Sequence, residues 1–430
     1  MNIAQHWQMS LCASVVITGT LLCLSPPARA ADALSLADAV TLTLSQHPEL
    51  KAFGYELRAQ DARVQQAQLH TRPELSVTVE DVLGTGVAQG LSGAQTTVSI
   101  AWIREDQLRQ RRIDAARTGS LVLADEAGIR RLDAAATTAR YFVEALSQQA
   151  HRTLADEAIT QAREMVTAVQ QRVSVAATGS ADLARAQAEL ARRELAREDI
   201  NHELSSTYHR LAAQWGDLSP QFTRVDGDPM ALPLPDAFET LLQRIEQSPD
   251  LMRFMSEQRM QEATLQLEMA QRSLPWRFNA GIRRIEGSSD TALVAGVTIP
   301  LDRGNRNQGR IEEVRIALEQ TAAERDARHL QLRTALYVFY QELQHSLHRA
   351  ELLEQSVIPR YREAMNHIRQ AYESGAASYT EWIQVQDELL SARMELLETS
   401  VMAHLNLIEI ERLTGLPVQQ TPSNQSNPLP

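Results

Sequence analysis

Glu342, His345 and His348 stand at three-residue steps in one proline-free stretch, and His202 and His209 stand seven apart in another. On a helix, a carboxylate and two imidazoles at that spacing share a face, and two facing Glu-x-x-His units can hold a pair of metal ions. No second unit accompanies Glu342 and His345. The carboxylates around them alternate with arginines at helical spacing, the pattern of a solvated face. Gly304 and Gly309 have the Gly-x-x-x-x-Gly spacing of a phosphate-binding loop placed after a strand and before a helix. The next two residues are Arg310 and Ile311, where that chemistry needs a lysine and a hydroxyl. Gly84-x-Gly86 precedes a hairpin rather than a helix. No Ser/His/Asp arrangement or nucleophile elbow stands out among the motifs. The expectation is therefore no catalytic residue, no metal site, no cofactor and no enzymatic activity.

The bulk properties narrow the classes further. The 430 residues carry a formal net charge of −12, and Lys51 is the only lysine, so no basic stripe is available for nucleic acid. Residues 1–30 read as a secretory signal peptide: an apolar run broken at Pro26 and Pro27, then the small-x-small site Ala28-Arg29-Ala30. Cys12 and Cys23, the only cysteines, fall inside it; Leu22 is too large to precede a lipidated cysteine. Beyond residue 30 no apolar run reaches 18 residues, so no transmembrane helix is expected. Any membrane role must use strands.

The elements that would position such strands come in two copies roughly 200 residues apart. "LADAVTLTLSQHPELKAF" (36–53) echoes "LPDAFETLLQRIEQSPDLMRF" (234–254), and "ATGSADLARAQAEL" (177–190) echoes "SGAASYTEWIQVQDELL" (374–390). The division is a first repeat at 31–215, a Pro/Gly-rich linker at 216–235, a second repeat at 236–416 and a disordered tail at 417–430. Each repeat reads as short helix, helix, two strands, very long helix, turn, helix. No proline occurs from Glu74 through Ser219. Leu132, Ala135, Ala139, Phe142, Leu146, Ala150, Leu154 and Ala158 step by three or four, marking one Ala-rich helical face. A helix over about 105–172 would be roughly 100 Å long. Helices alone would suit a soluble periplasmic coiled-coil scaffold.

The strands argue otherwise. Leu75, Val77 and Val79 alternate with Glu74, Ser76, Thr78 and Glu80; Trp276, Phe278, Ala280 and Ile282 alternate with Arg277, Asn279, Gly281 and Arg283. Strands at about 74–82, 95–103, 276–285 and 291–301 thus have one apolar and one polar or small face, at the length that crosses a bilayer. Four strands cannot do so alone, because unpaired edges are forbidden in lipid. They must close with other copies. Trp102 and Trp276 fall at the same end, suited to the membrane interface.

Here "GVTIPLDRGNRNQGRIEEVR" and "VIPRYREAMNHIRQAYESG", with the duplicated plan, resemble the outer-membrane efflux protein (TolC-like) family, and "EDVLGTG" with "LSGAQTTVSI" resembles its heavy-metal (CzcC-like) branch. Where that branch has a Gly-Gly-Lys-Arg elbow, this chain has "REDQLRQRR". The resemblance implies a mainly α chain with a small β part: long antiparallel coiled-coil-like helices plus four barrel strands. Three chains would close a 12-stranded β-barrel above an α-helical tunnel. It implies a homotrimer in outer-membrane lipid with a large periplasmic part, in a Gram-negative bacterium. The partners would be a periplasmic adaptor and an inner-membrane pump of the RND type, and the cargo heavy-metal cations. A duct for drugs or small organics and the soluble scaffold remain the alternatives. Tips at 173–182 and 371–380 would meet the adaptor through Gly179, Ser180, Gly375 and Ala376, with Gly179 and Gly375 as turn or C-cap glycines and Ser180 as N-cap. Tyr372 would match a gate tyrosine and Glu381 a gate carboxylate. Gln384 stands for the family's second carboxylate, and Ala377 for an arginine. Three copies of Glu381 would form a cation-friendly constriction with a raised pKa. Pro300, Gly304 and Gly309 would form the strand-to-helix elbow.

Overall fold

The computed structural model describes residues 33–272, 275–300 and 307–417. The expected signal peptide at 1–30, Gly304 of the elbow, and the tail from 418 onward lie outside them. Both halves follow one plan. In the first, α1 (Leu36–Gln46) and α2 (Pro48–Ala67) lead into β2 (Glu74–Glu80) and β3 (Gln95–Ile103), then α3 (Asp106–Ser174) and α4 (Ser180–Ala213). In the second, α5 (Phe238–Ile245) and α6 (Pro249–Ala270) lead into β5 (Arg277–Ile285) and β6 (Asp290–Thr298). There follow α7 (Gln308–Leu352), α8 (Ile358–Ser374) and α9 (Tyr379–Thr414).

The local chemistry accounts for the boundaries. Ser35 caps α1 by accepting from the Asp38 amide at 3.1 Å, and Pro48 and Pro249 open α2 and α6, where a missing N–H costs nothing. With 69 residues and no interior proline, α3 is continuous over about 100 Å. Its counterpart is not. Pro359 has no amide for the carbonyl four residues back, and the chain widens into a π turn at Leu353–Val357 between α7 and α8.

Packing makes one bundle of the two halves. α3 lies against α1, α2, α4, α6 and α9, and α9 lies against α7 and α8 as well. One core gathers Leu36 and Ala39 of α1, Phe142 and Leu146 of α3, Leu211 of α4 and Ile408 of α9. Its equivalent gathers Leu241 and Ile245 of α5, Leu332, Leu336 and Leu343 of α7, and Ile410 of α9. Alanines on α3 (Ala135, Ala136, Ala139, Ala145) are buried at these contacts and let the helices approach closely. The stretch expected as a linker at 216–235 contributes to the first core. Phe222 and Val225 are buried there, and β4 (Arg224–Val225) pairs in parallel with β1 (Ala33–Leu34).

The remaining strands form one antiparallel sheet in the order β2-β3-β5-β6. Among the described residues β2 and β6 each pair on one side only. The single chain therefore presents an open sheet rather than a closed barrel.

Phe142 is 0% exposed at the centre of the first core. Phe142→Ala is expected to lower stability by about 3–5 kcal/mol, read as an earlier midpoint in urea unfolding followed by helical circular dichroism.

Candidate functional site

Cross-strand register fixes what each face of the sheet carries. Leu75, Ile100, Ala280 and Ala295 align across the four strands, as do Val77, Val98, Ile282 and Leu293. This apolar face is open: Leu75 is 75% and Leu293 88% exposed. At the end nearest the helices it finishes in aromatics, with Phe278 stacked on Trp102 at 6.1 Å and tilted against Trp276 at 6.4 Å. Trp276 immediately precedes β5.

The opposite face is polar and crowded. Arg283 donates from Nε to Thr97 Oγ1 at 2.9 Å, from Nη1 to Gln95 Oε1 at 3.1 Å and from Nη2 to Glu80 Oε2 at 3.1 Å. Arg277 reaches Glu74 at 2.9 Å. Between these two rungs lie Ser76, Ser99 and Gly281. A side chain at Gly281 would come within 2.4 Å of the Val98 carbonyl oxygen, so only glycine allows the strands this approach. Among the described residues no helix is long and apolar enough to cross a membrane.

Where the chain enters and leaves the sheet, a carboxylate holds the two passes together. Glu105, buried just ahead of α3, accepts from the Thr71 amide and hydroxyl at 2.7 Å each and pairs with Arg112 at 3.2 Å. Burial alone would raise its pKa; the Thr71 bonds and Arg112 outweigh it and hold the carboxyl below the ordinary range. In the second half Asn307, just ahead of α7, donates to the Glu268 carbonyl of α6 at 3.3 Å. Of the elbow expected from Pro300, Gly304 and Gly309, Gly304 lies outside the described residues. Pro300 is exposed, and Gly309 lies in the first turn of α7 in open space. Sequence reading missed Glu105 and Asn307. Their one signal was a polar residue directly before a long helix.

At the far end of the rods, α3, α4, α8 and α9 share a core of Met165, Val169, Ala186, Tyr372, Tyr379 and Trp382. Tyr372 is only 2% exposed, so in the single chain it is an interior side chain rather than an open gate residue. Its ring lies 4.9 Å from Trp382 and 4.8 Å beneath the Arg172 guanidinium, which also donates to the Tyr372 carbonyl. Its hydroxyl has no hydrogen-bond partner among the described residues. Desolvation raises its pKa against the pull of Arg172. Arg193 of α4, also buried, ties to Asp387 of α9 at 2.6 Å, and Gln386 of α9 to Gln161 of α3 at 3.1 Å.

The tips depart from expectation in their caps. Gly179 is the N-cap of α4, and Ser180 is the first helical residue rather than the cap. The left-handed turn position of this tip is taken by Ala176, at φ 60°. Gly375 does close α8 in the left-handed conformation, at φ 81°. Gly179, Ser180, Gly375 and Ala376 are all exposed. Ser378 and Glu381 form a capping box on α9, with Glu381 Oε2 accepting from the Ser378 amide and hydroxyl at 2.8 Å. Those bonds lower the pKa of Glu381 in the single chain, opposite to the rise expected for a ring of three. Gln384 is exposed and donates to Glu388 on its own helix at 3.1 Å.

Glu342, His345, His348, His202 and His209 are exposed, and among the described residues no group of three or more such side chains could hold a metal ion.

A model of the outer membrane efflux protein family matches residues 246–416. The cobalt-zinc-cadmium resistance protein CzcC of Cupriavidus metallidurans is 29% identical over 399 residues, covering 93% of this chain and 94% of that one. The CusC crystal structure superposes with a TM-score of 0.73 at 14% identity, over 89% of this chain and 92% of its own. The outer membrane protein VceC of Vibrio cholerae gives 0.70 at 15%, over 89% and 97%. The open state of the MtrE outer membrane channel of Neisseria gonorrhoeae gives 0.71 at 13%, over 91% and 92%. At these identities the likeness is one of fold.

Because Glu105 binds a proton more weakly folded than unfolded, its clasp is at full strength above the ordinary carboxylate pKa and is lost as pH falls through the lower folded value. Glu105→Gln is expected to flatten the loss of stability on acidification over that window, measured as thermal midpoint against pH.

Proposed function

We propose that this chain, a member of the outer membrane efflux protein family, is one third of a passive exit duct through the outer membrane. The observation that carries this reading is the sheet itself: an exposed apolar face, a polar face of paired charges, and two unpaired edges. Such a sheet is unstable in water and impossible alone in lipid. Three copies of its four strands give a twelve-stranded barrel with every edge paired, apolar outside and polar inside. The long rods then prolong the lumen through the periplasm. Trp102, Trp276 and Phe278 would sit at the interface on the periplasmic side.

The duct performs no chemistry. It receives cargo from an inner-membrane RND-type pump through a periplasmic adaptor that seats on the tips around Gly179, Ser180, Gly375 and Ala376. The CzcC relative, named for cobalt, zinc and cadmium resistance, supports heavy-metal cations as that cargo. Closure belongs to the tip. Arg172 pins α3 to Tyr372 on α8, and Arg193 pins α4 to Asp387 on α9, so the two hairpins are held together. Glu381, exposed at the start of α9, would form the carboxylate ring of the aperture, with Gln384 one turn on.

Two measurements test this. Ser99 and Ile100 are neighbours on opposite faces. In proteoliposomes a membrane-impermeant thiol reagent is expected to label Ser99→Cys and to spare Ile100→Cys until detergent is added. Equal labelling of both in buffer would favour a soluble scaffold and end the duct. In planar bilayers Arg172→Ala is expected to raise single-channel conductance, and Glu381→Ala to weaken cation selectivity. Unchanged values in both variants would remove these residues from the aperture.

A further inference from the structure

The charges on the sheet's polar face are arranged to cancel. Within the strands that face carries five charged residues: Glu74, Glu80, Arg277, Arg283 and Asp290. Four of them form two rungs, Glu74 with Arg277 at 2.9 Å and Glu80 with Arg283 at 3.1 Å. Each rung spans from β2 to β5 across β3, where small or short residues (Ala101, Ser99, Thr97) leave the path clear. Six residues separate the rungs along β2, about 20 Å at strand spacing.

Stability is a weak explanation for this pattern. All four side chains are a third to more than half exposed, and exposed pairs contribute about 0–1 kcal/mol. Their effect on a passing ion is larger. A bare guanidinium acts as a monopole over a Debye length, about 10 Å at 0.1 M salt, whereas a contact pair acts as a short dipole that fades well inside that range.

From this we infer that Glu74 and Glu80 set the ion preference of the duct's outer section: by pairing with Arg277 and Arg283 they keep a cation path open past two arginines from each chain. Glu80 is the stronger determinant, because Arg283 has its remaining donors fixed on Thr97 and Gln95 and stays in place when the carboxylate is lost. Asp290, the fifth charge, leaves the lining slightly negative. The inference rests on the reading that the polar face lines the duct, and the ligand class it concerns is the small inorganic ion.

The test is the reversal potential of the full-length protein in planar bilayers under a potassium chloride gradient. Glu80→Gln is expected to shift it toward the chloride equilibrium potential and Arg283→Gln toward that of potassium. The double variant is expected to return close to the wild type. Both shifts are expected to grow as salt is lowered, because screening weakens. Should Arg283→Gln fail to assemble, Glu74→Gln and Arg277→Gln read the same opposite shifts at the other rung. Wild-type reversal potentials in every single variant, at normal conductance and low salt, would overturn the inference and leave the duct standing. Absence of any wild-type current would take away the duct and the inference with it.

Discussion

A strand edge in hydrocarbon has no water to satisfy its amides and carbonyls, and each unsatisfied group costs several kcal/mol. β2 and β6 each leave one edge unpaired among the described residues, on a sheet whose apolar face is also open. Everything else in the molecule is consistent with that one demand for partners. The sheet is short, three of its four strands are nine residues long, its polar face is internally bonded and its apolar face left bare. A chain that buried its sheet inside a globule would show the reverse.

The same demand constrains the helices. On the proposed reading, a sheet shared between chains has to be delivered at a fixed place and angle by rods about 100 Å long. The delivery point is the weak spot, since the backbone changes from helix to strand and back within a few residues. Glu105 meets this by bonding Thr71, so the incoming and outgoing passes become one unit. Asn307 and α6 do the equivalent in the other half. The two solutions differ chemically, an anionic clasp against a neutral amide, although the repeats share their plan.

The opposite end is built for a different purpose. Its core is aromatic and small, and cations reaching between the hairpins add to the apolar contact. Cross-hairpin ties made by a few long side chains can part without unpacking a core. The π turn ahead of α8 gives that rod a joint that α3 lacks. Tyr372 combines both roles, as a core side chain and as the seat of the Arg172 tie.

By itself the sequence determined the order of elements, the duplication, the strand faces and the absence of an apolar helix of membrane length. These follow from periodicity and from proline and glycine positions, which are local properties of the chain. Only tertiary structure decided which polar residues serve which purpose. Glu105, which the sequence did not single out, is a buried clasp. Glu381, expected as a gate carboxylate, also caps its own helix in the single chain. Tyr372, expected as a gate tyrosine, lies in the single chain in a core beneath Arg172, 200 positions away in the sequence. Phe222 and Val225 looked like linker and are packed. The physical reason for Glu105, Tyr372, Phe222 and Val225 is that burial and pairing depend on what folding brings alongside from far along the chain, which leaves no local mark. The Ser378–Glu381 capping box is a local pattern that the sequence does carry.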